Sequence, residues 1–402
     1  MKKGFLCWLC LFLCLGCTKS PEREPGKEPE KPPLFERVGP GATLDLRDDL
    51  DDQSLRNAVE KSLEFYARIP EDRTYPLGDK TVTVRRLRET LLEFLRLLDA
   101  KRLDRDSIAE SFVIYRASST AAEAKPLVTG YYEPVLEGRL EASREFCYPL
   151  YGVPSDLLTI DLASFDPVRY SGQRLVGRLK DKQVVPYYTR DEIDGQKKLD
   201  KAATKLAWLR DPLDAFFLHI QGSGIIKLPD GRSLRIGYAG ANGRPYRSVG
   251  KILIDRGLMT PEETTLQSIR SYLSAHPQVR DEVLGQNESY VFFRWVQEGP
   301  LGSLNVTLTS GRSIASDPLY HPRGAIAFLV SRKPRLGADG EVLDWETMQR
   351  WVLNQDAGGA IKGVGRVDLF CGSGETAGWM AGRMKHPGEL YFLLKKDASS
   401  ES

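Results

Sequence analysis

Apolar positions recur at helical spacing in two early stretches: Leu55, Val59, Leu63, Tyr66 and Ile69, then Val84, Leu87, Leu91, Phe94, Leu95 and Leu98. Steps of three and four place each set on one helix face, so both stretches are read as core-packing helices. Short apolar runs dominate the rest of the chain, at residues 112–115, 213–220, 290–295, 304–308, 325–330 and 390–394, and all are read as strands. Turn signals such as Pro229-Asp230-Gly231, Asn242-Gly243 and Pro322-Arg323-Gly324 separate several of them. The pattern predicts a mainly β protein, open or barrel-like, with a few helices. Residues 135–285 are richer in loops and charge, which predicts a separate lobe.

The first residues follow another pattern. Lys2 and Lys3 precede an uncharged stretch, residues 4–16, which has the layout of a secretory signal and is too short to span a bilayer. Leu15-Gly16-Cys17 resembles a bacterial lipobox, whose cysteine is lipidated and becomes the N-terminus. Thr18 is not the aspartate of an inner-membrane retention signal, so the expectation is an outer-membrane lipoprotein facing the periplasm, with a soluble periplasmic protein as the alternative. Residues 18–40 hold six prolines, five basic and five acidic residues, and 17–41 are read as a solvated tether. The chain has 57 Lys+Arg and 55 Asp+Glu. Removal of Lys2 and Lys3 with the signal leaves 55 of each, which argues against a nucleic-acid partner. Cys147 and Cys371 are the cysteines of the body, and an exported protein permits a disulfide between them.

Most familiar catalytic constellations are missing. There is no G-x-x-x-x-G-K-[ST] phosphate loop, no G-x-S-x-G elbow and no H-E-x-x-H, and His219, His276, His321 and His386 are isolated, so no metal or cofactor is expected. Carboxylate chemistry remains. The most unusual stretch runs from Gln355 to Gly378, where Asp356 precedes a glycine-rich connection and Asp368 sits between Val367 and Leu369. Period-two alternation sends Asp368 and Phe370 to one face and the aliphatics to the other. A carboxyl beside an aromatic ring in a groove is desolvated, which raises its pKa towards that of a general acid. These residues alone read equally as turn and strand-end positions of a glycine-rich hairpin.

Several ordered motifs go further: Thr129-Gly130-Tyr131-Tyr132-Glu133-Pro134, His219-Ile220-Gln221-Gly222-Ser223-Gly224, Gly237 to Gly243, Tyr246 to Gly250, Asn287 to Phe293, Ser316-Asp317 and the 355–372 segment. Together they resemble the membrane-bound lytic murein transglycosylase A family over roughly residues 40–395, and the C-terminal part resembles the domain named for three aspartates, with Asp317, Asp356 and Asp368 in the matching places. The resemblance implies a double-psi β-barrel lobe from residues 42–134 plus 286–395, its three-aspartate domain at about 303–395, and a smaller inserted β lobe at 135–285, with 396–402 as a tail. A glycan groove between the lobes is implied. It also implies a peptidoglycan lytic exotransglycosylase that cuts between N-acetylmuramic acid and N-acetylglucosamine and leaves 1,6-anhydromuramoyl ends. Asp368 would be the one acid/base, Asp356 and Asp317 would support it, and Thr129, Tyr132, Gln221, Ser223, Tyr238, Asn242 and Lys362 would contact glycan. Expected partners are peptidoglycan strands, a membrane through lipidated Cys17, and murein-synthesis proteins. A hydrolytic β-glycosidase on the same fold and a non-catalytic murein-binding lipoprotein are the alternatives.

Overall fold

The computed structural model describes residues 34–39, 44–118, 125–170, 172–199 and 201–397. The signal at 1–16, Cys17 and the tether up to residue 33 lie outside the described residues. Among the described residues no helix is long and apolar enough to cross a membrane.

Both helices read from periodicity are present. Asp52–Tyr66 starts where the Asp51 carboxylate accepts the Ser54 N–H, and Val84–Asp99 starts where the Thr83 hydroxyl accepts the Arg86 N–H. These caps satisfy backbone donors that a helix start leaves open. Their apolar faces bury Leu55, Val59, Leu87, Leu91 and Phe94 in the main core, where Phe94 and Phe328 meet the ring of Trp351 edge-on at 5.0 and 4.8 Å.

This core backs a nine-stranded sheet. In spatial order its strands are Phe35–Arg37, Phe112–Ala117, Glu389–Lys395, Ile326–Leu336, Val342–Asp356, Ser313–Ser316, Arg366–Ser373, Leu127–Glu133 and Lys385–Pro387. Two pairs are parallel, Ser313–Ser316 with Val342–Asp356 and Arg366–Ser373 with Leu127–Glu133. The sheet curls so that its last strand returns to Ile326–Leu336: the Ser331 hydroxyl donates to the Pro387 carbonyl at 3.3 Å, and a Cβ on Gly388 would lie 2.6 Å from the Val330 carbonyl. The fold is therefore mainly β with several helices and barrel-like.

A second sheet orders Val291–Val296, Ser233–Ala241, Ser223–Lys227, Val135–Arg139, Lys205–Leu209 and Tyr148–Tyr151. Beside it stand a three-stranded sheet between residues 158 and 186 and the helices Val249–Asp255, Leu266–Ala275 and Pro277–Gln286. Buried Glu133, at the end of a barrel strand, ties the two sheets. It accepts from Arg235 of the second sheet at 2.8 and 3.3 Å and from the Ser373 hydroxyl at 2.6 Å.

Four expectations change. Residues 213–220 form a helix, Pro212–Gln221, because the Asp211 carboxylate accepts the Leu213 N–H, Pro212 fits the first turn and Gly222 ends it at φ +79°. Residues 304–308 form no strand; they make a turn closed by the bridge between Leu301 and Thr307 and by the Leu308 N–H, which donates to the Pro300 carbonyl at 2.9 Å. The tether does not reach 41, since Phe35–Arg37 pairs with Tyr115–Ala117 and Phe35 packs against Phe392 in the core. Val291–Val296 pairs with Ser233–Ala241, so the second sheet runs past residue 285. Cys147 and Cys371 are free thiols; burial pushes the Cys371 thiol up to about 12.

Candidate active site

A groove of about 1600 Å³ runs between the two sheets. The nine-stranded sheet contributes Thr129, Tyr131, Ala315, Asp356, Arg366 and Asp368; the second sheet contributes Ser223, Tyr238 and Arg294; Phe216, Phe217, Leu266 and Ile269 come from helices.

Asp368 lies mid-strand, in register with Thr129 on one side and Ala315 on the other. Val367 and Leu369 are buried in the core, while Arg366 and Asp368 face the groove, as period two requires. Phe370 does not line the groove; its ring packs against Tyr131 at 5.3 Å. The Thr129 hydroxyl donates to Asp368 Oδ1, Arg366 Nε donates to the same oxygen at 3.3 Å, and Arg366 Nη2 donates to Thr129 Oγ1 at 3.0 Å. Among the described residues no protein group bonds Asp368 Oδ2. Only 15% of this side chain is exposed. Burial raises its pKa above the usual carboxylate range, against the opposing pull of the Arg366 charge and of the bonds from Thr129 and Arg366. The site thus holds an acid that keeps its proton more readily than an ordinary aspartate, with one oxygen left free.

Asp356 also lines the groove, but both its oxygens are occupied. Oδ1 accepts the N–H groups of Ser303 and Ala357 at 2.8 Å each, and Oδ2 accepts the Tyr131 hydroxyl at 3.0 Å. Burial raises its pKa, and these donors and the Arg323 charge oppose the rise. Burial, with Asp356 close by, pushes the Tyr131 hydroxyl well above its ordinary value, so it stays a donor. Asp317 is buried away from the groove lining, where it accepts Leu319 N–H at 3.1 Å and Gly363 N–H at 2.8 Å and fastens two loops.

Of the expected glycan contacts, Thr129, Gln221, Ser223 and Tyr238 line the groove, and Tyr238 is 54% exposed there. Gln221 Oε1 also accepts the Tyr132 N–H at 2.9 Å, which ties its helix end to the barrel strand. Three others do not line it. The Tyr132 ring lies against Gly378, where an added Cβ would come within 2.8 Å of it. Asn242 is fully buried; its amide donates to the Tyr188 and Glu288 carbonyls at 2.8 Å each and its oxygen accepts from Tyr290 at 2.9 Å and Arg244 at 3.2 Å. Lys362 is exposed on the loop before the Asp368 strand. Asn and Lys in glycine-rich motifs suit ligand contact and loop architecture equally, and the backbone donors and acceptors around Asn242 decide for architecture.

The reading from sequence missed Arg366 and Tyr246. The alternation that exposes Asp368 also exposes Arg366 two positions earlier. Tyr246 lines the groove close enough to feel the charges of Arg366 and Asp368. His219 lines the groove too, but burial and the Arg190 guanidinium, 2.8 Å from its Nδ1, hold its pKa well below the ordinary value, so it is neutral.

Comparison with known proteins points one way. The family described as the MltA specific insert domain matches residues 127–294, and the 3D domain matches residues 312–394. A membrane-bound lytic murein transglycosylase A of Escherichia coli (strain K12) is 35% identical over 268 residues, 66% of this chain and 64% of that protein, so the match spans just under two thirds of its length. The crystal structure of a membrane-bound lytic murein transglycosylase from Agrobacterium tumefaciens superposes with a TM-score of 0.74 at 30% identity, covering 90% of this chain and 97% of that one. The structure of E. coli MltA with bound chitohexaose gives a TM-score of 0.68 at 26% identity, covering 91% and 96%. With both family domains in order and near-complete coverage of a solved relative, this chain belongs to the membrane-bound lytic murein transglycosylase A family.

Proposed function

We propose that the chain is a lytic transglycosylase that cuts the β-1,4 bond between N-acetylmuramic acid and N-acetylglucosamine in peptidoglycan, with Asp368 as its catalytic acid and base. One observation carries this: a desolvated carboxyl with a free oxygen faces the groove, while Asp356, the other groove aspartate of the nine-stranded sheet, is used up by three donors. Protonated Asp368 gives its proton to the glycosidic oxygen as the C1–O4 bond breaks. Its carboxylate then takes the proton of the muramoyl C6 hydroxyl as O6 bonds to C1, which closes the 1,6-anhydro ring and restores the acid. No water is consumed, so no second carboxylate has to activate one, in contrast to ordinary glycosidases. The E. coli relative with bound chitohexaose supports a β-1,4-linked amino-sugar strand as the occupant of the groove.

Thr129 and Arg366 position the carboxyl through Oδ1 and leave Oδ2 towards substrate. Gln221, Ser223 and Tyr238 offer polar contacts to the sugars. The proposed location is the periplasmic face of the outer membrane through lipidated Cys17. Digestion of sacculi followed by mass spectrometry tests the chemistry. Muropeptides lighter by one water than hydrolysed ones are expected, and products carrying that water would replace this reading with hydrolysis. Cys17→Ala is expected to move the protein to the soluble periplasmic fraction; unchanged membrane association refutes the lipid anchor.

A further inference from the structure

Thr129 has Asp368 in register on one side and Lys385 on the other. Side chains in register across a sheet share a face, and all three line the groove. Neighbouring strands lie about 4.8 Å apart, so on backbone spacing Lys385 stands about 10 Å from the acid. Lys385 is exposed and its ammonium meets no carboxylate among the described residues; its acceptor is the Pro261 carbonyl at 3.4 Å, on the facing helical part. Two charged groove-lining residues stand close in chain to this contact: Arg383, two positions before Lys385, and Glu262, next to Pro261. The Arg383 guanidinium reaches the Trp379 carbonyl at 3.5 Å, and neither residue forms an ion pair among the described residues. The cation that acts on Asp368 is Arg366, so the charge of Lys385 is not spent on the acid.

A muramoyl residue bears a lactyl group at O3 followed by a peptide stem with free carboxylates. The lactyl unit and the first amino acid together span about 7 Å when extended, and the free carboxylate on the second amino acid lies about 3 Å further, which brings it to the roughly 10 Å at which Lys385 stands from the acid. We propose that Lys385 is a specificity-determining residue that binds a stem-peptide carboxylate of the muramoyl residue being cut, so that stem-bearing strands bind more tightly than bare glycan. This rests on the transglycosylase reading above. Arg383 adds positive charge beside it, and Glu262 faces the ammonium groups that stems also carry.

The test measures binding without cleavage. Asp368→Asn protein, and the same protein with Lys385→Gln or Lys385→Arg, is titrated calorimetrically with soluble glycan strands, either stem-bearing or stripped of stems by an amidase. The stem-bearing strands are expected to bind about tenfold more tightly, about 1.4 kcal/mol. Lys385→Gln should bring that ratio close to one, and Lys385→Arg should keep most of it. Equal affinities before mutation, or a Lys385→Gln loss that is the same for both ligands, as a mere strut to Pro261 would give, overturns the proposal. Wild-type protein that releases hydrolysed ends, or none, would instead remove the transglycosylase reading while this ratio still reports on Lys385.

Discussion

Arg366→Gln is the sharpest probe of the site, because it changes the acid's surroundings and leaves the acid in place. Arg366 Nε lies 3.3 Å from Asp368 Oδ1, and its Nη2 holds the hydroxyl that bonds the same oxygen. Two unit charges about 4 Å apart attract by about 4 kcal/mol at an effective dielectric of about 20, and by about 1 kcal/mol in water. The Arg366 side chain is 32% exposed, so solvent screens the pair and the lower part of that range applies. Removal of this cation takes away the main pull that opposes burial and so raises the Asp368 pKa further. The proton-donating step needs the protonated form, so activity falls as pH rises through this pKa. The variant's alkaline limb therefore moves to higher pH. The assay is kcat/KM against pH on isolated sacculi, scored by anhydro-muropeptide release, with Arg366→Lys as a partial restoration. An alkaline limb that stays put, or moves to lower pH, means that Asp368 does not titrate in the rate or that Arg366 does not act on it.

Asp368→Asn is expected to abolish turnover and to raise the melting temperature at neutral pH. The folded pKa lies above the ordinary value of 3.8, so ionisation opposes folding as pH rises through the folded pKa, and the gain should vanish in acid below the unfolded value; a variant destabilised at neutral pH contradicts this. Asp356→Ala strands the Ser303 and Ala357 N–H groups and should cost about 2 kcal/mol or more in urea unfolding; a fully stable but inactive variant would instead make Asp356 a second catalyst. Gly130→Ala places a Cβ 2.7 Å from the Ala381 backbone, with an expected loss of about 1 to 3 kcal/mol, and wild-type stability would mean that the helix Glu375–Arg383 gives way freely.

The parts of the fold that sequence makes legible are those where burial is one-sided. Asp52–Tyr66 and Val84–Asp99 each bury one stripe, so their steps of three and four stand out in the order of residues alone. Residues 213–220 failed for the opposite reason. Leu213, Phe216, Phe217, Leu218 and His219 are all buried, and a segment covered nearly all round shows no period that separates helix from strand. Its ends carried the answer instead, in Asp211-Pro212 and Gly222. Residues 34–38 were hidden by the proline-rich, charged segment before them, although Leu34-Phe35 and Val38 break that pattern, and Phe35 is what the core takes up.

The same logic separates the aspartates. Period two along 366–370 was enough to turn Asp368 towards a groove, because its neighbours on the strand are aliphatic and must go inward. Nothing in one sequence says whether an aspartate in a glycine-rich loop keeps a free oxygen, since that depends on where distant backbone N–H groups come to rest. Asp356 is met by Ser303, more than 50 residues away, and by Tyr131, more than 220 away; Asp317 is met by Gly363. Donors that saturate a carboxylate make it architectural, whereas Asp368 has bonds to one oxygen and burial around the other. That asymmetry is what a single group needs if it is to give a proton and take one back. It follows that a donor introduced within reach of Asp368 Oδ2 should lower its pKa and slow cleavage without disturbing the fold. Ala315→Ser adds a hydroxyl that lines the groove at the position in register with Asp368, on the side away from Thr129. An alkaline limb moved to lower pH, with a melting temperature at neutral pH no lower than that of the wild type, is the expected result. A limb that does not move, with the fold intact, would show that the free oxygen is not the one that works.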